Sequence, residues 1–428
     1  MTPAATTTPL PTPLASAPPK WGSEAAWKLP GWAEPIIVAS ILFGACYYTR
    51  RRRFAVLAGQ SSYKPLLGRP APAAPSPGQG QDDYDDDADI DDDADTDDDV
   101  DYPECLTAKN PPKRRSCCGT TVLTPNTSRF RSNWHSRVLY KFPFLVEMFY
   151  WIVTYAIYRL THVLSQALFS SEIWDLAQDN AFRVLMLEQY SPVSFLFPLP
   201  EIAVQRWFLA GHPHLLTVLN KAYALIHIPG TVYFVAWYYV AAPNHAAFAV
   251  VRRTMTLCNL LAFAVFTAYP CMPPRLLPRE FGFVDTVRRD DAESVWMSGK
   301  FVNHLAAMPS MHFGYAFIIG VTCAYHACVS DATAASASAS TAAAMTGWQR
   351  WRRWALCAFG VFYPLSVLTI IIATANHYWL DVLVAIATAS VALACNRVFV
   401  VFVPLEDLLL WALRVDKPTP NCGPAARA

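Results

Sequence analysis

None of the eleven cysteines is paired in Cys-x2-Cys spacing, and Cys46, Cys258, Cys323, Cys328, Cys357 and Cys395 lie inside apolar segments. A disulfide framework or a zinc site is therefore not expected. Basic residues are missing from positions 82–101, where fourteen of twenty residues are aspartate. That run also lacks the glycine and terminal glutamate of a calcium-binding loop, which leaves a solvated, self-repelling stretch. The chain is formally +1 as a whole, so outside those aspartates it carries +15. A cleaved signal peptide would place its charges before the first apolar run, but here Arg50-Arg51-Arg52-Arg53 follow it. Asn126-Thr-Ser128 is the only Asn-x-Ser/Thr site in 428 residues.

What is present is apolar surface. Hydrophobic residues make up 54% of the chain, mean hydropathy is +0.22 and there are 14 tryptophans, as in a polytopic membrane protein. Residues 1–31 read as a disordered N-terminus and 32–53 as a transmembrane anchor, with Glu34 and Pro35 near one end. Residues 54–133 read as a disordered acidic cytoplasmic loop, 143–403 as the membrane domain, and 404–428 as a C-terminal interfacial helix and tail. Within the membrane domain the apolar segments are 143–169, 219–241, 254–270, 311–329, 354–375 and 378–397. Each is close to the ~20 residues that span hydrocarbon. The predicted class is an all-α polytopic helix bundle with about seven transmembrane helices, six forming the core and one the anchor. Residues 172–210 mix apolar and charged positions and read as interfacial helices, and the Ala/Ser tract 332–344 reads as a linker.

Orientation follows from the arginines. If the 50–53 cluster is cytoplasmic, Arg252-Arg253, Arg350, Arg352, Arg353 and Arg397 also fall inside. The same count puts residues 270–309 and the 374–381 junction outside or in a lumen.

Two motifs then share that face. In Thr374-Ala-Asn-His-Tyr-Trp-Leu-Asp381, His377 and Asp381 stand four apart, so on one helix face they pair. A carboxylate on one ring nitrogen fixes the tautomer and leaves the other basic. Read alone, His377 could cap a helix and Asp381 complement its dipole, yet a carboxylate so close to hydrocarbon needs a partner. Met308-Pro-Ser-Met-His312 opens the next apolar segment upstream, where free helix N–H groups suit a phosphate oxyanion. Ser310 is either a phosphate ligand or an N-cap. Arg275 closes Tyr269-Pro-Cys-Met-Pro-Pro-Arg275 and offers a bidentate fork for phosphate. Arg279, Lys300, Asn303 and Asn376 are further phosphate-binding candidates. Glu188 and His227 fall near membrane depth, where a pocket role and packing both remain open. The expected chemistry is phosphoryl transfer on a lipid, against two other classes: an acyltransferase using His377 and Asp381, or a non-enzymatic scaffold or transporter.

Pro309-Ser-Met-His312, His377-x3-Asp381 and the upstream Pro-Pro-Arg resemble the type 2 phosphatidic acid phosphatase superfamily. The wider pattern, with Asn180-Ala181, Glu188 and the 303–312 and 374–381 stretches, looks most like its inositol phosphorylceramide synthase branch. The resemblance covers roughly residues 145–400. It implies that His377 attacks phosphorus and forms a phosphohistidine, that Asp381 orients it and that His312 protonates the leaving group. No metal and no cofactor is implied. The implied partners are a phospholipid or sphingolipid substrate and the membrane, with no nucleic acid and with protein partners open. The implied setting is an integral endomembrane protein of the Golgi or endoplasmic reticulum with a luminal site. The chain departs from the superfamily pattern at Ala268, Ile370, Ile371 and Met311, where lysine, serine, arginine and glycine are usual. Those departures point towards the branch. Head-group transfer is the expectation, and lipid phosphate hydrolysis the alternative.

Overall fold

The computed structural model describes residues 32–56, 111–117, 120–168, 173–289, 305–336 and 347–423. The 1–31 segment, most of the acidic run's loop, Lys300 and Asn303 lie outside the described residues.

Helices dominate. In chain order they are α1 (Ala33–Thr49), α2 (Trp134–Lys141), α3 (Phe144–Leu168), α4 (Ile173–Tyr190), α5 (Glu201–Gly211), α6 (Pro213–Ala241) and α7 (His245–Ala268). There follow the short α8 (Thr286–Arg289), then α9 (Met311–Ser336), α10 (Gly347–Ala373), α11 (Trp379–Ala394) and α12 (Val403–Ala412). The boundaries have local causes. Pro213 sits at the first turn of α6, where its missing N–H costs nothing. Asn244 caps α7, its side chain accepting from the Ala247 N–H at 2.8 Å.

The molecule is a helical membrane bundle. Helices occupy all seven expected places. Among the described residues, however, only Pro213–Ala241, His245–Ala268 and Arg350–Ala373 are by themselves long and apolar enough to cross a membrane. A fourth span results if Trp379–Ala394 and Asn396–Ala412, bent by 49°, count as one. The expected seven is thus not established. Among the described residues the apolar part of α3 is Phe144–Ile157, and α1 has 17 residues.

The core follows the helix order. Phe234, Tyr238, Tyr239, Phe248, Met255, Cys258, Ile319 and Ala392 bury one another between α6, α7, α9 and α11. α9 and α10 approach through glycines. A Cβ on Gly320 would lie 2.5 Å from the Gly360 carbonyl, and one on Gly360 would lie 2.7 Å from the Gly320 carbonyl. Only the absence of both side chains permits that spacing.

One expectation needs correction, and another gains detail. The loop 54–133 is not structureless to its end: Lys113–Cys117 (β1) and Thr120–Thr124 (β2) form an antiparallel hairpin. Burial of an ion pair fixes it. Arg115 Nε donates to Asp407 of α12 at 2.9 Å, and Thr124 Oγ1 donates to the same carboxylate at 2.7 Å. The tail after α12 is also packed. Asn421 and Cys422 are buried, Asn421 Nδ2 donates to the Thr49 carbonyl, and the Tyr239 hydroxyl donates to Asn421 at 3.0 Å. Those contacts lie at the end of the bundle where Arg252 donates to Glu147 at 2.6 Å. Along α7, at ~1.5 Å per residue, that end is roughly 25 Å from the 269–275 turn.

Candidate active site

At the other end, three connections meet. The turn after α7 and the strand-like segment before α9 pair through Cys271 N–H to the Leu305 carbonyl (2.9 Å) and Ala307 N–H to the Cys271 carbonyl (3.2 Å). The turn between α10 and α11 joins them through the Arg275 N–H, which donates to the Ala375 carbonyl at 2.9 Å. Ala375 itself has φ +53°, a left-handed conformation that costs a non-glycine residue about 1 kcal/mol. Its burial and the hydrogen bonds on both sides hold it there.

His377 does not lie on α11. Tyr378 is the N-cap, and the Asp381 side chain folds back to accept from the Tyr378 N–H at 2.9 Å. The expected pairing is nevertheless made, with His377 Nδ1 3.2 Å from Asp381 Oδ2. The same Nδ1 stands closer, 2.8 Å, to the Ala307 carbonyl. The carbonyl can only accept, so Nδ1 carries a hydrogen, and in the neutral ring the lone pair is then on Nε2. His377 and Asp381 are almost fully buried.

His312, in the first turn of α9, faces His377 with ring centroids 6.0 Å apart. Its ring is sandwiched between Tyr223 and His227 of α6, each at 4.2 Å. Ser310 acts as the cap of α9, its hydroxyl oxygen accepting from the Phe313 N–H at 3.3 Å. The 311 and 312 N–H groups have no partner within that helix and give its end a partial positive charge. By contrast, the first N–H groups of α11 are all taken: Tyr378 by Asp381, Trp379 by Glu201 (3.2 Å) and Leu380 by Glu188 (2.7 Å).

Arg275 is the cation of the site. Its Nε donates to Asn376 Oδ1 at 2.8 Å, and its terminal nitrogen bridges both oxygens of Asp285 at 3.1 and 3.2 Å. Asn376 Nδ2 donates to the Thr374 hydroxyl at 2.7 Å, so the amide is held from both ends and orients Arg275. Arg279 is exposed in the turn Arg279–Phe281 and is not hydrogen-bonded to any described site residue. Lys300 and Asn303 lie outside the described residues. Burial pushes the Cys271 thiol up, and the nearby charges of Asp381 and Glu188 push it further, so this cysteine stays protonated and is no nucleophile. Among the described residues no group of three or more His, Cys, Asp or Glu is arranged to hold a metal ion.

Residues 194–346 match the family model of the PAP2 superfamily. The match supports the superfamily without choosing a branch. It takes in Arg275 and His312 and ends before His377 and Asp381, which the fold brings to the same place. A superfamily match over that segment supports an integral membrane enzyme of the phosphatase or phosphotransferase type acting on lipids. No curated protein and no solved structure matches the chain.

Several neighbours of this superfamily-like site escape a reading of the chain. The Ala307 carbonyl has no side-chain signature at all. Asp285, Glu201 and Tyr223 come from three separate elements, and nothing in their local sequence ties them to His312 or Arg275. The α4 and α5 helices, expected at the interface, keep Asp175, Asp179, Arg183 and Arg206 exposed but turn Asn180, Glu188, Glu201 and Gln205 inward beside Ala177, Ala181 and Val184. A mixed pattern of apolar and charged positions does not say which of its polar residues the neighbouring elements will enclose.

Proposed function

We propose that the protein is a lipid phosphotransferase that moves an inositol phosphate-type head group between lipids through a phosphohistidine at His377. The observation that carries this reading is the His377 ring. Nδ1–H is held by the Ala307 carbonyl and Asp381, which leaves Nε2 as the lone-pair nitrogen of the neutral ring, and the His312 ring stands 6.0 Å away.

In the proposed cycle the phosphorus of a donor lipid lies between the two histidines. His377 Nε2 attacks, and the charge spread on the equatorial oxygens meets Arg275 and the open N-terminus of α9. His312 gives a proton to the departing alkoxide and later takes one from the acceptor hydroxyl. Asp381 stabilises the charge that develops on the His377 ring. Asp285 and Asn376 fix the guanidinium fork of Arg275, so that its remaining N–H groups meet phosphate in one orientation.

Transfer is favoured over hydrolysis because the reacting turn is enclosed. His377 is 4% exposed and Asp381 0%, and a phosphohistidine survives until an alcohol arrives only where water is scarce. We place the catalytic domain at residues 143–403 and its site on the luminal side of an endomembrane, the arginine-rich ends of the spans facing the cytoplasm. The test is to incubate membranes containing the protein with labelled phosphatidylinositol and a ceramide. Label should pass to the ceramide without matching release of inositol phosphate, and both the transfer and the consumption of donor should stop in His377→Ala. Release of free phosphate from phosphatidic acid, with no transfer to any alcohol tried, would make the protein a lipid phosphatase instead.

A further inference from the structure

Behind His377 lies a pair of acids that the proposed cycle does not use. Glu188 of α4 and Glu201 of α5 are 2% and 1% exposed. One oxygen of each holds a backbone N–H of the first turn of α11, Glu188 the Leu380 N–H and Glu201 the Trp379 N–H. The second oxygen of each, Oε2 in both cases, has no hydrogen-bond donor, and the two carboxyl groups are neighbours because they hold adjacent N–H groups, those of Trp379 and Leu380. Two buried anions facing each other without a donor is an arrangement proteins avoid. A single proton between the two Oε2 atoms removes both the repulsion and the two orphan acceptors.

We propose that Glu188 and Glu201 share one proton and act as a positioning pair for the turn 377–381. This rests on the function proposed above. The pair acts through the backbone. Trp379 and Leu380 are the links between His377 and Asp381, so the clamp on their N–H groups sets how far Asp381 sits from the His377 ring.

The surroundings agree. The ionisable groups facing Glu188 are Glu201 from α5, Asp381 from α11, Tyr378 at its cap and Cys271 from the 269–275 turn. Among the described residues no lysine, arginine or histidine forms an ion pair with either glutamate. Burial pushes the Glu188 carboxyl up, and the Glu201 hydrogen bond and charge add to the shift. Loss of the shared proton leaves two adjacent carboxylates inside the protein, and the first turn of α11 loosens.

The sign follows from linkage. A carboxyl whose folded pKa is raised stabilises the fold fully below its unfolded value and loses that contribution as pH rises through the folded value. The test uses the full-length protein in detergent micelles, with Glu188→Gln and Glu188→Ala alongside the wild type. Melting temperature and initial rate on labelled phosphatidylinositol are each measured from neutral to alkaline pH. Glutamine keeps the acceptor for Leu380 and gives Glu201 a hydrogen that cannot be titrated away. Glu188→Ala should lower kcat at neutral pH by about tenfold, and Glu188→Gln should restore most of it. The alkaline fall in both rate and melting temperature should be present in the wild type and flattened in Glu188→Gln. Coincident alkaline limbs in wild type and Glu188→Gln would overturn the shared proton, and an Ala variant as fast as wild type would overturn the positioning role. If no lipid is turned over at any pH, the proposed function fails, while the melting curves still decide whether the pair shares a proton.

Discussion

Replacing Asp381 by Asn separates two ways of holding the His377 ring. In one, the carboxylate sets the tautomer, and its loss lets the ring hydrogen move to Nε2, which ends the nucleophile. In the other, the Ala307 carbonyl at 2.8 Å sets it, and Asp381 at 3.2 Å supplies only charge. The distances favour the second. An asparagine oxygen in place of Oδ2 still accepts the Tyr378 N–H, so the cap of α11 survives, and the other carboxylate oxygen has no partner to lose. What disappears is the charge on the acceptor: a bond worth about 1.5–3 kcal/mol becomes a neutral one worth about 0.5–1.5, a loss of about 1–2 kcal/mol. At ~1.4 kcal/mol per factor of ten, kcat should fall about 5- to 30-fold with KM little changed. The assay is the initial rate on labelled phosphatidylinositol at varied lipid content, with retention of label on alkali-quenched protein as a second readout. Label should still accumulate on Asp381→Asn, more slowly, and never on His377→Ala. A loss of about 10⁴-fold or more, with no label retained, would show that the carboxylate and not the carbonyl fixes the ring.

The remaining predictions concern the other parts of the molecule. His312→Ala should slow departure of a poor alkoxide by about 10²–10⁴-fold and a nitrophenolate far less, because an acidic leaving group needs no proton; equal loss on both substrates would argue against a general acid. Gly320→Ala should lower stability by about 1–3 kcal/mol, since its Cβ would meet the Gly360 carbonyl at 2.5 Å, whereas Gly230→Ala, whose nearest neighbour is 3.7 Å away, should melt like wild type. Thermal unfolding in detergent reads both. Asn126 should carry no glycan in the native membrane, which a mass shift on glycosidase treatment would contradict, together with the assigned orientation.

The positions of the helices and the pairing of His377 with Asp381 were already written in the chain. Apolar runs of about twenty residues have to become helices in hydrocarbon, because only a helix satisfies its backbone there. His377 and Asp381 were legible because they are four residues apart, although the reason they meet is a fold-back at a helix cap and not a shared helix face. His312 and Arg275 were legible as motifs at the ends of apolar runs, and the fold brings them to the 377–381 turn from 65 and more residues away.

What the tertiary structure alone decided is who holds these groups. The Ala307 carbonyl, Asp285, Tyr223 and Glu201 reach the site from four elements, and contacts between distant elements leave no local period or spacing in a sequence. The inward turn of Glu188 and Glu201 was left open for a related reason. A pattern of apolar and charged positions gives a helix two faces, and only the packing partners say which of its polar residues are enclosed. The hairpin at 113–124 follows the same rule. Lys113 to Thr124 is polar and short, and it acquires structure only because Asp407, nearly three hundred residues on, waits to bury Arg115.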